Sequence, residues 1–299
     1  MVKQFKMKKM KKKNSLMTAV AIFVFSTFTI AQVPSYVSTN GLVGYWTFDG
    51  NGNDLSPSAN NLTTNGNVSY STDRFGNTNR AALFDAENEY FNKMSPVLPS
   101  GNNSRSLSIW LYTSGIITNV NGECPFIYGN LVRGGCYKRF GMLIKNTTQV
   151  MYVGKCNPVL HTVNNLSLNW HHLVYTFGPG QTFALYQDGA LIQSSVLSGT
   201  DNTALGELRI GSGLDDQNPV GNVAQFDGKI DEVAFYDRVL TQQEITDLYN
   251  GCQLSVSTQP INQSVNISNI EKYKYAIGGG VLMLLILYFI FRMKKKQNP

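Results

Sequence analysis

Asp49, Asn51 and Asn53 stand two apart in the stretch DGNGNDLSPSAN (residues 49–60), and Asp54 and Asn60 add to a dense run of side-chain oxygens. Oxygen donors so close together could hold a hard cation such as Ca2+, which takes about six to eight of them. The helix–loop–helix calcium motif, however, needs Gly at its sixth position and Glu at its twelfth. Here those positions are Asp54 and Asn60, and the stretch leading in, GLVGYWTFD, reads as a strand. The run is therefore either a cation loop of another kind or an ordinary turn, where Asn, Asp and Gly tolerate left-handed backbone.

The remaining reactive residues are few. The histidines, His161, His171 and His172, lie in or beside strand-like runs with no G-x-S-x-G nucleophile motif near them, and read as parts of the sheet rather than of a site. The four cysteines, Cys124, Cys136, Cys156 and Cys252, form no C-x-x-C pair, which argues against a zinc site. In an oxidising compartment they are expected as disulfides. YKRFGMLI and QVMYV flank KNTT as a hairpin whose register sets Cys136 close to opposite Cys156, so the expected pairs are Cys136–Cys156 and Cys124–Cys252.

The chain ends predict that compartment. Residues 1–31 carry seven lysines, then an uncharged run from Ser15 to Ile30, then Ala31: a signal peptide, cleaved after Ala31. Residues 275–291 are uncharged, flanked by tyrosines and followed at once by Arg292, Lys294, Lys295 and Lys296. This pattern predicts a transmembrane helix with a basic cytoplasmic tail at 292–299. At about 1.5 Å per residue it is short for a hydrocarbon core of about 30 Å, so Lys274 and Arg292 would snorkel. The polar residues 253–274 read as a stalk. The expected protein is thus tethered in a lipid bilayer by its C-terminus, with residues 32–252 extracytoplasmic.

Topology also accounts for the charge. The chain has 25 Lys and Arg against 19 Asp and Glu, a net +6, yet only fourteen of the basic residues lie between 32 and 274, where all the acidic ones lie. The exposed part is acidic and shows no basic stripe, so nucleic acid is not an expected partner.

Between residues 40 and 251 short alternating runs are broken by Gly, Asn and Asp, the pattern of an all-β domain of about a dozen strands. SLSIWLYTS puts Leu107, Ile109 and Leu111 on one face and Trp110 and Tyr112 on the other; Asp188-Gly189 joins TFALYQ to ALIQSSVL as a two-residue hairpin. One helix is predicted, TQQEITDLYNG, with a Thr241/Glu244 capping box and Ile245, Leu248 and Tyr249 on one face.

In order along the chain, GLVGYWTFDGNGNDLSPSANN, FDAENEYF, SLSIWLY, NWHHLVYTF…FALYQDGALI, LRIGSG and FDGKIDEVAFYDRVLTQQEITDLYNG resemble the laminin-G-like, concanavalin A-like lectin/glucanase superfamily over about residues 41–251. The resemblance implies a jelly-roll sandwich of two antiparallel sheets with the first and last strands side by side. It also implies a structural Ca2+ near the opening loop, held by Asp54, Asn60 and Asp231. Glucanases on this fold carry a Glu-x-Asp-x-(x)-Glu strand motif; none of the seven glutamates here is followed two residues later by Asp, so no catalysis is expected. The expected function is a membrane-tethered recognition or adhesion module for glycan or a protein surface. The alternative is a structural component of an envelope assembly or membrane-bearing virion; a glycoside hydrolase comes last. Loops 129–139 and 213–222 are candidate binding loops. Composition, with 15 Tyr and 16 Phe, singles out no individual aromatic as a ligand platform.

Overall fold

Fifteen strands and one α-helix follow one another in a computed structural model that describes residues 32–85, 88–114, 122–129, 138–152, 154, 159–197, 201–213 and 224–251. The strands are β1 (Leu42–Trp46), β2 (Thr63–Asn65), β3 (Ser69–Ser71), β4 (Ala81–Asp85), β5 (Tyr90–Met94), β6 (Arg105–Thr113), β7 (Glu123–Gly129) and β8 (Arg139–Asn146). They continue as β9 (Gln149–Tyr152), β10 (Val159–Thr162), β11 (Trp170–Gly178), β12 (Thr182–Gln187), β13 (Ala190–Val196), β14 (Glu207–Ile210) and β15 (Asp227–Tyr236), before α1 (Gln242–Asn250). The expected signal peptide 1–31, stalk 253–274, apolar segment 275–291 and tail 292–299 lie outside the described residues, as do Cys136, Cys156, Cys252 and most of loops 129–139 and 213–222. Among the described residues no helix is long and apolar enough to cross a membrane.

The strands form two antiparallel sheets. The first runs β13-β12-β11-β6-β15-β4-β3, with β1 also paired to β15; the second runs β10-β9-β8-β7-β14-β5-β2. Strands first and last in sequence lie side by side, Leu42 opposite Tyr236 and Trp46 opposite Val233. Alternation builds the core between the sheets. Leu107, Ile109 and Leu111 of β6, Leu173, Tyr175 and Phe177 of β11 and Phe235 of β15 meet Phe126, Tyr128, Phe140, Met142 and Ile144 of the second sheet. The hairpin at Asp188-Gly189 forms as its sequence predicts, both residues at positive φ (52° and 80°), and β8 and β9 pair around Thr147-Thr148.

Helix α1 packs on the outer side of the first sheet, where Ile245 and Leu248 join Tyr45, Val174, Ala234 and Tyr236. Its capping box is complete: the Thr241 hydroxyl accepts from the Glu244 N–H, and the Glu244 carboxylate accepts from the Thr241 N–H. Arg238 forks onto the same carboxylate at 2.6 and 2.8 Å, and these hydrogen bonds hold its pKa down to about 2. Thr241→Ala should cost about 1 kcal/mol in denaturant unfolding, since it strips one N–H of its acceptor at a helix start.

Cys124 departs from its expected pairing. It is a free thiol, buried on the outer side of the second sheet with Ile127, Leu143 and Ala224, and within reach of the Met142 carbonyl at 3.3 Å. Gly251, the residue before Cys252, packs on Tyr36, which belongs to the cluster on the outer side of the first sheet. Cys252 itself lies outside the described residues, and the departure is confined to Cys124, whose thiol is free. Burial pushes the Cys124 thiol up to about 12, which keeps it protonated and unreactive.

Glu123, at the start of β7, is 2% exposed, and its carboxylate accepts from the Asp227 N–H at 3.3 Å. Burial, helped by the Asp227 charge and opposed by that hydrogen bond, pushes its pKa up to about 7. A carboxyl raised above its unfolded value of about 4.5 contributes stability that is full below that value and is lost as pH rises through the folded one. Glu123→Gln should therefore become more stable relative to the parent between pH 5 and 8, by at most about 3 kcal/mol, in urea unfolding at the two pH values.

Candidate functional site

The oxygen-rich loop turns out to be a built turn. Asn51 bonds both ways within it, Nδ2 to the Asp49 carbonyl and Oδ1 from the Asn53 N–H. Asp54 is 8% exposed, and all its acceptor capacity is spent: Oδ1 takes the N–H groups of Tyr45 and Ser56, Oδ2 takes the Ser56 hydroxyl and the Asn60 N–H, at 2.7–2.9 Å. Asn60 donates through Nδ2 to the carbonyls of Val43 and Val97 and accepts the Val97 N–H on Oδ1. The loop is thus a hydrogen-bonded clasp between β1 and residue 97. Asp231 belongs to a different assembly and is taken by Arg74 at 2.6 Å. A Ca2+ ion needs free oxygen lone pairs, but N–H and guanidinium donors hold those of Asp54, Asn60 and Asp231. The expected Ca2+ set does not fit these residues, and among the described residues no group of three or more His, Cys, Asp or Glu could hold a metal ion.

What the structure does assemble lies on the outer side of the first sheet, beyond the part covered by α1. There the register aligns Ser69, Leu83, Lys229, Tyr112 and Trp170 in one row across β3, β4, β15, β6 and β11. Tyr112 and Trp170 meet edge to face, centroids 5.9 Å apart, and the Lys229 ammonium sits 5.2 Å from the Tyr112 ring centre. Leu83, Lys229, Tyr112 and Trp170 are each half-buried, Ser69 is exposed, and Leu168 is 63% exposed beside Trp170. Towards the end of the strands, Asp227 accepts from the Ser114 hydroxyl at 3.2 Å. An apolar aromatic ledge with a cation and carboxylate at its margin is thus built on a rigid sheet.

In the other direction along β6, the next residue on that face is Trp110, stacked on His172 and on Tyr249 of α1 at 5.0 and 5.7 Å. His172 is 1% exposed, buried beneath this stack rather than on the open sheet surface; its Nε2 meets the Ser108 hydroxyl, and burial holds its pKa down near 3. His171 is paired with Asp188 at 2.9 Å, and His161 is buried and stacked on Phe183.

Arg74 lies over Trp110, 4.7 Å from the ring centre, and over Phe75 at 4.3 Å. Asp73 presents both, folding residues 73–77 by accepting the N–H groups of Phe75 and Asn77. The Arg74 guanidinium bridges Asp231 (2.6 Å) and Glu232 (3.0 Å), the two residues at the bulge of β15 against β6, while the Tyr36 hydroxyl donates to Glu232 at 2.6 Å. Burial pushes the Asp231 carboxyl upward and Arg74 pulls it back. Above this network opens a cavity of about 480 Å³.

A model of the concanavalin A-like lectin/glucanase superfamily matches residues 85–246, more than half of the chain. The chain belongs to that superfamily. This lectin/glucanase-like domain is similar in fold to domain 4 of AbnA, an extracellular arabinanase of Geobacillus stearothermophilus solved with arabinotriose (18% identity, TM-score 0.55, covering 70% of this chain and 98% of that one). It is also similar to the binding domain of Paraclostridial Mosquitocidal Protein 1 (17%, 0.54, 72% and 53%) and to that of Botulinum Neurotoxin DC in complex with SialylT (12%, 0.54, 72% and 52%). The domain therefore spans about half the length of those two toxin binding domains. At these identities the likeness is one of fold. No protein of curated function matches the sequence.

Proposed function

We propose that this superfamily member is a non-catalytic recognition module that binds glycan on the outer face of its first sheet, held outside the cytoplasm by the apolar segment 275–291. The observation that carries the reading is the Tyr112–Trp170 pair with Lys229 beside it, an aromatic ledge on a flat sheet. The C–H faces of a sugar ring stack on such a ledge, and its hydroxyls find polar groups at the margin. Two fold neighbours, domain 4 of an arabinanase solved with arabinotriose and a toxin binding domain solved with SialylT, support the same reading. The spent carboxylate of Asp54 and the lack of a Glu-x-Asp pattern favour binding over hydrolysis. Full-length protein in detergent, applied to a panel of immobilised oligosaccharides and recovered for mass spectrometry, should retain a subset of them uncleaved. Release of shortened sugars would overturn the non-catalytic part, and an empty panel the glycan part.

A further inference from the structure

We infer that a second sugar seat lies on the same outer face at the far end of β11, one that takes an uncharged sugar ring and works separately from the aromatic ledge. Register lays out its floor: Thr176, Ala184 and Ser194 form one row across β11, β12 and β13, and Gly178, Thr182 and Val196 form the next. These six and Val239, from the turn after β15, line a cavity of about 370 Å³, a size that suits a small ligand. Small residues keep it open. A Cβ on Gly178 would stand 2.8 Å from the Thr182 hydroxyl and 2.9 Å from a Val239 methyl. The Ser106 hydroxyl fixes the turn that carries Val239, donating to the Arg238 carbonyl and accepting the Leu240 N–H.

The chemistry of the lining selects the ligand. Thr176 is 5% exposed, and its hydroxyl has no hydrogen-bond partner among the described residues. A buried hydroxyl is normally satisfied, and this one can both donate and accept. Ser194 and Thr182 add hydroxyls from exposed positions, while Val196, 70% exposed, and Val239, 39% exposed, supply apolar walls. None of the lining residues is charged, so a charged ligand would shed water there without gaining a counter-ion. A purely apolar ligand would cover the Thr176 hydroxyl without bonding it. A sugar ring meets both demands: its hydroxyls exchange hydrogen bonds with Thr176 and Ser194, and its C–H groups rest on the valines. Trp170 and Gly178 are the two ends of β11, about 26 Å apart, and α1 packs on Val174 between them, so a disaccharide cannot touch both seats.

The test is saturation-transfer NMR on the full chain, in a detergent without a sugar headgroup, with the neutral disaccharides maltose, cellobiose and lactose as probes. At least one of them should give a signal that survives in Trp170→Ala and is lost in Ser194→Leu, which sends a larger side chain into the cavity from an exposed strand position. Thr176→Val, alike in shape but without the hydroxyl, should weaken that disaccharide by about three- to tenfold with Tm nearly unchanged. A signal lost in Trp170→Ala and kept in Ser194→Leu overturns the second seat and spares the ledge. A signal kept in both variants or lost in both, or no signal from any of the three probes, overturns the second seat as well. Retention on the oligosaccharide panel, lost in Trp170→Ala, then decides the ledge separately.

Discussion

Trp170→Ala should lower affinity at the proposed glycan face by about thirtyfold or more, the scale of at least 2 kcal/mol at which a central aromatic anchor operates. The expectation follows from position. Trp170 is half-buried at the first residue of β11, opposite Tyr112, and its ring edge-to-face contact leaves surface open to a ligand. Removing it strips the ledge of its larger ring, while the strand keeps its backbone pairing to β6. Trp170→Phe, which keeps an aromatic face, should recover a large part of the affinity. Circular dichroism melts separate this from unfolding: the pair contributes on the order of 1 kcal/mol to the fold, so Tm should fall by only a few degrees. Unchanged affinity in Trp170→Ala would remove the ledge from the binding face.

Arg74→Met gives the largest stability change, about 3–5 kcal/mol, because it leaves Asp231 and Glu232 as buried carboxylates without their cation. The side chains of Arg74 and Asp231 are 5% and 6% exposed, and that of Glu232 is 15% exposed, so water cannot take over the role of the guanidinium. For a domain of this size the loss corresponds to a fall in Tm of roughly 6–20 °C. It should depend on pH with a definite sign. Without Arg74 the Asp231 carboxyl, already pushed upward by burial, has its folded pKa raised further above the unfolded one. The variant therefore regains stability below about pH 4 and loses it as pH rises. Adding Asp231→Asn and Glu232→Gln to Arg74→Met should restore much of the lost stability, since a whole ion cluster replaced at once leaves no orphaned charge. A cost below about 1 kcal/mol for Arg74→Met alone would show that the cluster is dispensable.

Local chemistry made part of this legible in the sequence. Asp188-Gly189 specifies a turn through its own backbone preferences, Thr241 and Glu244 specify a helix start three residues apart, and alternation in SLSIWLYTS sorts Leu107 from Trp110 without reference to the rest of the chain. The side-by-side placement of β1 and β15 came from resemblance, being nearly two hundred residues apart. Whether a carboxylate has lone pairs to spare is decided by what folds against it. Asp54 looks like a ligand in the sequence and is saturated by Tyr45, Ser56 and Asn60 in the fold. Likewise nothing near Cys124 tells which side of the sandwich it faces, and the surface on which α1 lands determines that His172 is buried. The ledge itself needs the register of three strands: Tyr112 and Trp170 are fifty-eight residues apart and become neighbours only across the β6–β11 ladder.

Strand β15 has a consequence for how the chain is made. It alone joins β6 on one flank to β4 and β1 on the other, and it is the last strand to be synthesised. Before β15 is made, the first sheet is in separate pieces, β13-β12-β11-β6, β4-β3 and β1, with bare hydrogen-bonding edges. A chain cut before residue 227 should leave those pieces prone to sticking to one another, so the first sheet closes only once β15 has been made.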